Sequence, residues 1–364
     1  MSRSRRLMRL ASIVARAATG AVALQRLARA ATVAAPVRPT VTPAASISVV
    51  VPARDEAARI GPLLDAVVGA PGVREVIVVD DQSSDATAAV AAEAGARVLA
   101  GRTLPDGWAG KAWALQQGIE ATTGDWVVTL DADTRPVPEL APALVARAIG
   151  DRLDLLTVGG RFDCPTPGSR WLHPAMLTTL VYRFGPPGTA PSSADRTMAN
   201  GQCTAFHRDR FLQAGAMAPV AGEVVEDIAL ARRLAADGHR VGFLDGSEML
   251  TVRMFESFGD TWTGWGRSLA LPGVEPLRRQ LADLAVVGVA QALPLLRVVA
   301  RRADLLDAVL LAARLGTLVG TRRAYQRTGP AYWLSPLADP LAVAAIGRGI
   351  MRRGRQTWRG RSYG

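Results

Sequence analysis

At 364 residues and 49% hydrophobic, the chain is long enough for one large domain and an appendage. Two cysteines, Cys164 and Cys203, exclude a disulfide framework and suit a reducing compartment, and three histidines without a His-Glu-x-x-His pair argue against a zinc hydrolase. The net charge of +11 is unevenly spread: residues 1–40 carry +8, residues 278–364 carry +11, and the middle is left with −8. Such ends suit anionic lipid headgroups, whereas a nucleic-acid enzyme would concentrate positive charge around its site.

Residues 1–35 mix arginine with Leu7, Leu10, Ile13, Val14, Val22, Leu24 and Leu27. The apolar run between Arg16 and Arg26 is too short to cross a bilayer, so an amphipathic helix lying on a membrane surface is expected. Pro36, Pro39 and Pro43 mark a linker. From Ser46 the pattern is strand, helix, strand. Residues 47–51 form a strand ended by Pro52, and 56–68 a helix with Ile60, Leu63, Leu64 and Val67 on one face. Strand 76–79 and helix 84–94 follow, then a short strand at 97–99, helix 111–122 and strand 126–130. Repeated βα units predict a doubly wound, mostly parallel sheet. Strands are expected at 155–158, 241–244 and 249–254, and helices at 209–214 and 227–236. Beyond Gly273 three apolar stretches, 281–300, 305–319 and 334–350, read as weak membrane helices or interfacial ones, the alternative being a soluble helical cap. The expected divisions are 1–45, a basic segment and linker; 46–272, a catalytic domain; and 273–364, hydrophobic helices with a basic tail.

Three acidic clusters stand where this pattern meets the sheet rim. Asp80-Asp81 and Asp131-Ala132-Asp133 each close an apolar strand, and ligands of open α/β sheets bind beyond the carboxyl ends of the strands. Asp-x-Asp at such an end can hold a hard divalent cation, Mg²⁺ or Mn²⁺, against a diphosphate. After Asp80-Asp81, Ser83 or Ser84 is expected to cap the next helix, with Asp85 favouring its dipole; Asp81 is left over for a nucleoside base or ribose. Glu226-Asp227 opens a helix and can bring a general base to a cleft. The single lysine of the chain, Lys111, follows Gly110 at a helix start, an anion-binding arrangement calling for a compact ammonium. Trp262-Thr263-Gly264-Trp265-Gly266-Arg267 adds one cation among aromatics.

In this order, Val49-Val50-Val51-Pro52-Ala53-Arg54-Asp55-Glu56, Val79-Asp80-Asp81-Gln82-Ser83-Ser84-Asp85, Asp131-Ala132-Asp133, Asn200-Gly201-Gln202 with Arg208, and Val225-Glu226-Asp227 resemble glycosyltransferase family 2 over about residues 46–270. The resemblance implies a GT-A nucleotide-binding domain and inverting sugar transfer. By it, Asp81 contacts uracil, Asp131 and Asp133 hold metal and diphosphate, and Asp227 is the catalytic base with Glu226 beside it. Pro52, Glu56, Lys111 and Arg267 join the candidate donor contacts. Trp108-Ala109-Gly110-Lys111-Ala112-Trp113-Ala114 and the ending Trp358-Arg359-Gly360-Arg361-Ser362-Tyr363 look like the membrane-associated branch acting on carotenoid or hopanoid-type lipids. Trp262, Trp265 and Arg267 depart from the Gln-x-x-Arg-Trp of processive members, so one sugar per acceptor is implied. The expected activity is transfer of one hexose from a UDP-sugar to a lipid-like acceptor, at the cell membrane with the catalytic domain cytoplasmic and no nucleic acid involved. The alternatives are a polyprenyl-phosphate glycosyltransferase and a non-catalytic, membrane-docked nucleotide-sugar binder.

Overall fold

The structure is a computed structural model that describes residues 3–41, 43–352, 356–358 and 361–363, with side chains placed from Leu10 to Arg352 apart from Thr42. Arg353, Gly354 and Arg355 of the basic tail, and Arg359 and Gly360 of the ending motif, lie outside the described residues. In space the chain separates into two units. One combines Met1–Val33, Cys164–Thr189 and Met254–Gly354, and the other combines Ala34–Asp163, Ala190–Arg253 and Arg355–Gly364.

The first helix, α1 (Arg3–Ala28), belongs to the helical unit. The α/β unit begins with β1 (Ile47–Ala53), fully buried along Ile47-Ser48-Val49-Val50-Val51 as expected of a strand covered on both faces. Next come α2 (Ala57–Val67), β2 (Val73–Asp80), α3 (Thr87–Glu93), β3 (Arg97–Ala100), α4 (Gly110–Glu120), β4 (Trp126–Leu130), the short β5 (Thr134–Pro136), α5 (Leu140–Asp151), β6 (Leu155–Gly159) and β7 (Arg161–Asp163). After α6 (Pro167–Phe184) of the helical unit, the α/β unit resumes with β8 (Cys203–His207), α7 (Arg208–Gln213), α8 (Glu226–Ala236), β9 (Val241–Asp245) and β10 (Leu250–Arg253). A last pair, β11 (Gln356–Trp358) and β12 (Arg361–Tyr363), is antiparallel.

Seven strands form the central sheet in the order β3-β2-β1-β4-β8-β6-β9, and β5, β10 and β7 form a small second sheet. The central sheet is mostly parallel, as the repeated βα units predict. The exception is β8, which pairs antiparallel with both β4 and β6. No strand was expected there: Cys203-Thr204-Ala205-Phe206-His207 is short and lacks a βα repeat, and only its neighbours in the sheet make it a strand. Close packing of α4 on the sheet needs Gly118, where a Cβ would fall 2.4 Å from Val50 Cγ1 and 2.8 Å from Val79 Cγ2.

The helical unit holds α1, α6, α9 (Phe258–Ser268), α10 (Leu277–Val287), α11 (Leu293–Val299), α12 (Leu305–Thr321), α13 (Pro330–Trp333) and α14 (Asp339–Met351). A π-helical turn, Gly288–Ala292, joins α10 and α11 into one helix, Leu277–Val299, the only one among the described residues long and apolar enough to cross a membrane. The core of the unit includes Ala23 of α1, Leu172 and Met176 of α6, Val287, Leu310, and Ala342, Ala345 and Ile346 of α14. The helix expected at the N-terminus is present, but two of its arginines face inward. Arg16 pairs with Asp304 at 2.8 Å and with Asp307, and Arg26 pairs with Asp283 at 2.9 Å. Helix α6 gave no periodic signal, because it is buried on nearly all sides; its start is a capping box of Thr166 and Ser169 with Pro167 at the first turn.

Candidate active site

The carboxyl ends of β1, β2 and β4 lie side by side because β1 pairs in parallel with β2 on one side and β4 on the other. That register brings Pro52 opposite Val79 and Ala53 opposite Asp80, and puts the residues after Leu130 on the same rim. The loops leaving β1 and β2 are latched to each other. Asp55 and Gln82 take the left-handed conformation, with φ of 54° and 58°, a backbone strain tolerated where surrounding contacts fix it. The Ser84 backbone N–H and hydroxyl both donate to Asp55 Oδ1, at 2.7 and 3.0 Å, and the Ser83 hydroxyl accepts from the Asp55 N–H. The capping role expected of Ser83 or Ser84 is therefore not realised. Helix α3 starts after Ala86 without a side-chain cap, while Asp85 accepts from the N–H and hydroxyl of Thr87.

Asp81 is buried on this rim, its carbonyl accepting from Arg54 at 2.9 Å and its carboxylate 3.8 Å from the same guanidinium. Glu56 stands at the start of α2, where its N–H donates to Thr87 Oγ1 and its carboxylate lies 3.5 Å from Arg59.

Strand β4 delivers Asp131-Ala132-Asp133. The turn is held by Thr134 Oγ1 donating to the Asp131 carbonyl at 2.7 Å and by the Asp131 N–H donating to the Gln202 carbonyl at 3.0 Å. Antiparallel β8 explains the second bond: its first residue, Cys203, pairs with Leu130, so Asn200-Gly201-Gln202 arrives at the carboxylate rim. Its last residue, His207, pairs with Trp126 at the other end of β4, which takes Arg208 to the far edge, where it meets Thr122 at 3.2 Å. Arg208, part of the motif set, is thus not brought to the site.

Helix α8 supplies Glu226 and Asp227 at its first turn. Asp227 accepts from the Gly201 N–H at 2.7 Å and from the Ile228 N–H at 2.8 Å. A side chain at 201 would meet Asp227 Cβ at 3.0 Å, so the close approach needs glycine. This clamp was not foreseen from the sequence, where Asn200-Gly201-Gln202 enters only as one of the motifs that carry the family resemblance. At the start of α4, the Lys111 ammonium bridges two clusters, 2.9 Å from Asp131 and 3.1 Å from Glu226 Oε1. Its loop is tied to the chain before α8 by the Ala109 N–H donating to the Ala221 carbonyl at 2.6 Å. Arg267 belongs to α9 of the helical unit, whereas the other candidate residues are in the α/β unit.

Six acidic side chains, Glu56, Asp81, Asp131, Asp133, Glu226 and Asp227, against the Lys111 ammonium and the guanidiniums of Arg54 and Arg59 leave the site negative. Burial, then the neighbouring Asp131 and Glu56, push the Asp133 carboxyl up to about 7. Burial and Glu226 push Asp227 up to about 6, against the pull of Lys111 and its two N–H donors. Burial alone would lower the Lys111 ammonium, but Asp131, Glu226 and Asp227 hold it above its ordinary value. Asp133 Oδ1 is buried with no hydrogen-bond partner. Such an orphaned oxygen beside a second carboxylate fits a hard cation that takes one or two carboxylates and completes its shell with phosphate oxygens. Among the described residues no three His, Cys, Asp or Glu side chains group into a self-sufficient metal site, so the donor would have to supply the remaining ligands.

Residues 48–212 match the glycosyl transferase family 2 model. The chain carries a family 2 glycosyltransferase domain. The match embraces β1 to α7 and includes Asp81, Lys111, Asp131 and Asp133; α8 with Glu226 and Asp227 follows it in sequence. A 4,4'-diaponeurosporenoate glycosyltransferase of Staphylococcus haemolyticus is 26% identical over 252 residues, 67% of this chain and 66% of that protein. An undecaprenyl-phosphate 4-deoxy-4-formamido-L-arabinose transferase of Klebsiella pneumoniae is 37% identical over 117 residues, 30% of this chain and 35% of that protein. The matched stretches thus span less than two thirds of these curated relatives. Among solved structures, a mannosyltransferase from Pyrobaculum calidifontis in complex with GDP-Man and Mn²⁺ superposes with a TM-score of 0.56 at 19% identity, covering 93% of this chain and 97% of that one. At that identity the likeness is one of fold: the family 2 domain has the GT-A-like architecture expected of it.

Proposed function

We propose that the chain is an inverting glycosyltransferase that moves one hexose from a UDP-sugar to a hydrophobic, lipid-like acceptor at the cytoplasmic face of the cell membrane. The observation that carries this reading is the convergence of Asp131 and Asp133, Lys111, and the clamped Asp227 on one rim of the family 2 domain. The curated relatives act, by their names, on a carotenoid acid and on undecaprenyl phosphate, which supports an acceptor that is a long apolar molecule with a polar end.

Asp131 and Asp133 would hold a divalent cation, Mg²⁺ or Mn²⁺, together with the donor diphosphate, and that cation supplies positive charge where the leaving group gains negative charge. Pro52, Glu56 and Asp81 line the part of the rim suited to the nucleoside, with Asp81 receiving the base. Lys111 is within reach of the same anion and offers three donors. Asp227, oriented by the Gly201 and Ile228 N–H groups, accepts the proton of the acceptor hydroxyl as that oxygen bonds to the anomeric carbon and the bond to diphosphate breaks. Attack from the face opposite the leaving group inverts the anomeric centre.

Incubation of purified protein with UDP-hexoses and a lipid extract, followed by mass spectrometry of the lipids, tests the reading. A single-hexose adduct dependent on Asp227 is expected; transfer undiminished in Asp227→Asn would reject Asp227 as base. That result would favour the second reading, a polyprenyl-phosphate acceptor whose oxygen is already anionic, which the Klebsiella relative supports.

A further inference from the structure

The helical unit is built with its charges turned inward. Residues 10–28 of α1 contain two charged side chains, Arg16 and Arg26; residues 280–299 contain Asp283 and Arg297; residues 305–321 contain Asp307 and Arg314. None of the six is exposed. Each pairs within the unit. Arg16 and Arg297 share Asp304 and Asp307. Asp283 lies between Arg26 and Arg183, at 2.9 and 3.3 Å. Arg314 is paired with Asp339 at 2.8 Å, and Gln291 donates to the same carboxylate.

The faces turned away from these pairs carry no charge and are largely apolar, with Gln25 exposed near the end of α1. On α12, Leu305, Val309, Leu315 and Val319 are exposed and follow one side of the helix, while Asp307, Leu310, Arg314 and Leu318 are buried on the other. On α1 the exposed positions include Leu10, Ile13, Val14, Val22 and Leu24, with Arg16 and Arg26 on the inner side. On α10 and α11 they include Leu281, Leu296, Val298 and Val299. Among the described residues of these stretches, exposed arginines stand only at the ends: Arg29 after α1, Arg278 at the start of α10, Arg301 and Arg302 at the turn between α11 and α12, and Arg322 and Arg323 after α12.

A water-soluble helix shows the opposite polarity, charge outward and apolar stripe inward. Charged side chains that face the bundle interior and pair with one another, with cationic collars at the helix ends, are what a hydrocarbon solvent selects. The lengths agree. At 1.5 Å per residue, 277–299 is about 35 Å long, enough to cross the roughly 30 Å of a bilayer core, and residues 10–28 and 305–321, at about 28 and 26 Å, are of a length to lie in the hydrocarbon beside it without meeting the length and apolarity of a crossing on their own. We infer that the helical unit is set into the hydrocarbon of a lipid bilayer, with the outward faces of α1, α10–α11 and α12 against acyl chains and the arginine collars at the headgroups. The inference deepens the proposed membrane association and rests on that part of the proposed function. It also changes the place of α1. Counted along the sequence, the run between Arg16 and Arg26 is too short to cross the bilayer; with both arginines neutralised inside the bundle, the uncharged outer face extends over residues 10–28.

Spin labels report it directly. Cysteines placed singly at the exposed positions Val14, Val309, Leu315 and Val319, with an Ile149→Cys control on the α/β unit, are labelled in the full chain and reconstituted in vesicles of phosphatidylcholine with a minority of phosphatidylglycerol. The expected result is a severalfold excess of collisions with oxygen over collisions with a water-soluble nickel chelate at the four helical sites, reversed at the control. Nickel access at the helical sites equal to the control would overturn the inference, since those faces would be in water. Exclusion of both reagents would overturn it too, because a protein surface and not lipid would cover them. The readout needs no donor, acceptor or turnover, so it fails separately from the proposed reaction.

Discussion

Asp227 and Asp133 are both carboxyls held above their ordinary range by burial, but they are used differently. Asp227 has both oxygens engaged by backbone N–H groups, an arrangement that fixes its position while its affinity for a proton stays near neutrality. As a base it works only when ionised, so kcat/KM should rise with pH through about 6 and level off at higher pH. Asp227→Asn should lose that limb and about 10²–10⁴ in rate while still binding UDP, the usual worth of general base catalysis. A pH–rate series on both proteins checks this, and an unchanged profile would remove Asp227 from the role. Asp133 has an orphaned oxygen and a folded-state value raised to about 7. The folded protein therefore binds more protons than the unfolded chain between about pH 4 and 7. The stability this carboxyl allows is full below about pH 4 and is lost as pH rises through 7. In EDTA at pH 8, Asp133→Asn should melt a few degrees above the parent, and the difference should vanish near pH 4. The same variant should lose Mn²⁺-dependent UDP binding by calorimetry. A lower melting temperature at pH 8 would show that Asp133 is a structural carboxylate.

At the scale of elements, the site depends on how strands and helices are aimed. Helix α4 carries Lys111 at its N-terminus, and its depth against the sheet is set by Gly118, which sits on Val50 and Val79. Gly118→Ala should cost about 1–3 kcal/mol through overpacking, despite the better helix propensity of alanine. Denaturant unfolding measures it; a neutral or stabilising effect would show that α4 can lift off without strain. Antiparallel β8 brings Asn200-Gly201-Gln202 to the acidic rim and Arg208 to the opposite one, so two parts of one sequence motif serve different ends of the sheet. The capping expected of Ser83 and Ser84 failed for a related reason. A Ser-Ser-Asp run before a helix is locally sufficient for a cap, but Asp55 on the adjacent loop engages both serines: its carboxylate accepts from the Ser84 N–H and hydroxyl, and its N–H donates to the Ser83 hydroxyl, so neither hydroxyl caps the helix.

At the scale of the molecule, the two units have opposite character: the α/β unit carries the acidic site, and the helical unit combines buried ion pairs with apolar outer faces. Headgroup attraction alone is screened by salt, whereas acyl contact is not. Membranes from cells making the chain should therefore keep it through both a high-salt and an alkaline carbonate wash, and a reporter fused to its C-terminus should read cytoplasmic, on the side of the nucleotide-sugar donor. Release by salt alone would mean a peripheral, purely electrostatic association, and an external C-terminus would overturn the orientation.

The sequence by itself determined the parallel strands β1, β2 and β4 and the acidic residues that end them. Continuous Val and Ile runs are buried strands wherever they lie, and the residue after the last of such a run stands at the sheet rim. It also determined the helix that begins at Glu226, because the apolar period there is local. Only the tertiary structure decided what those groups meet. Lys111 reads along the chain as an anion site, yet its ammonium is shared between Asp131, 20 residues later, and Glu226, 115 residues later. Arg16 and Arg26 read as surface charge, yet their partners Asp304, Asp307 and Asp283 lie more than 250 residues on. Periodicity reports which face of an element is apolar, but not which solvent that face will meet. Where charges pair across the fold, inside and outside exchange meaning, and no window along the chain contains both partners.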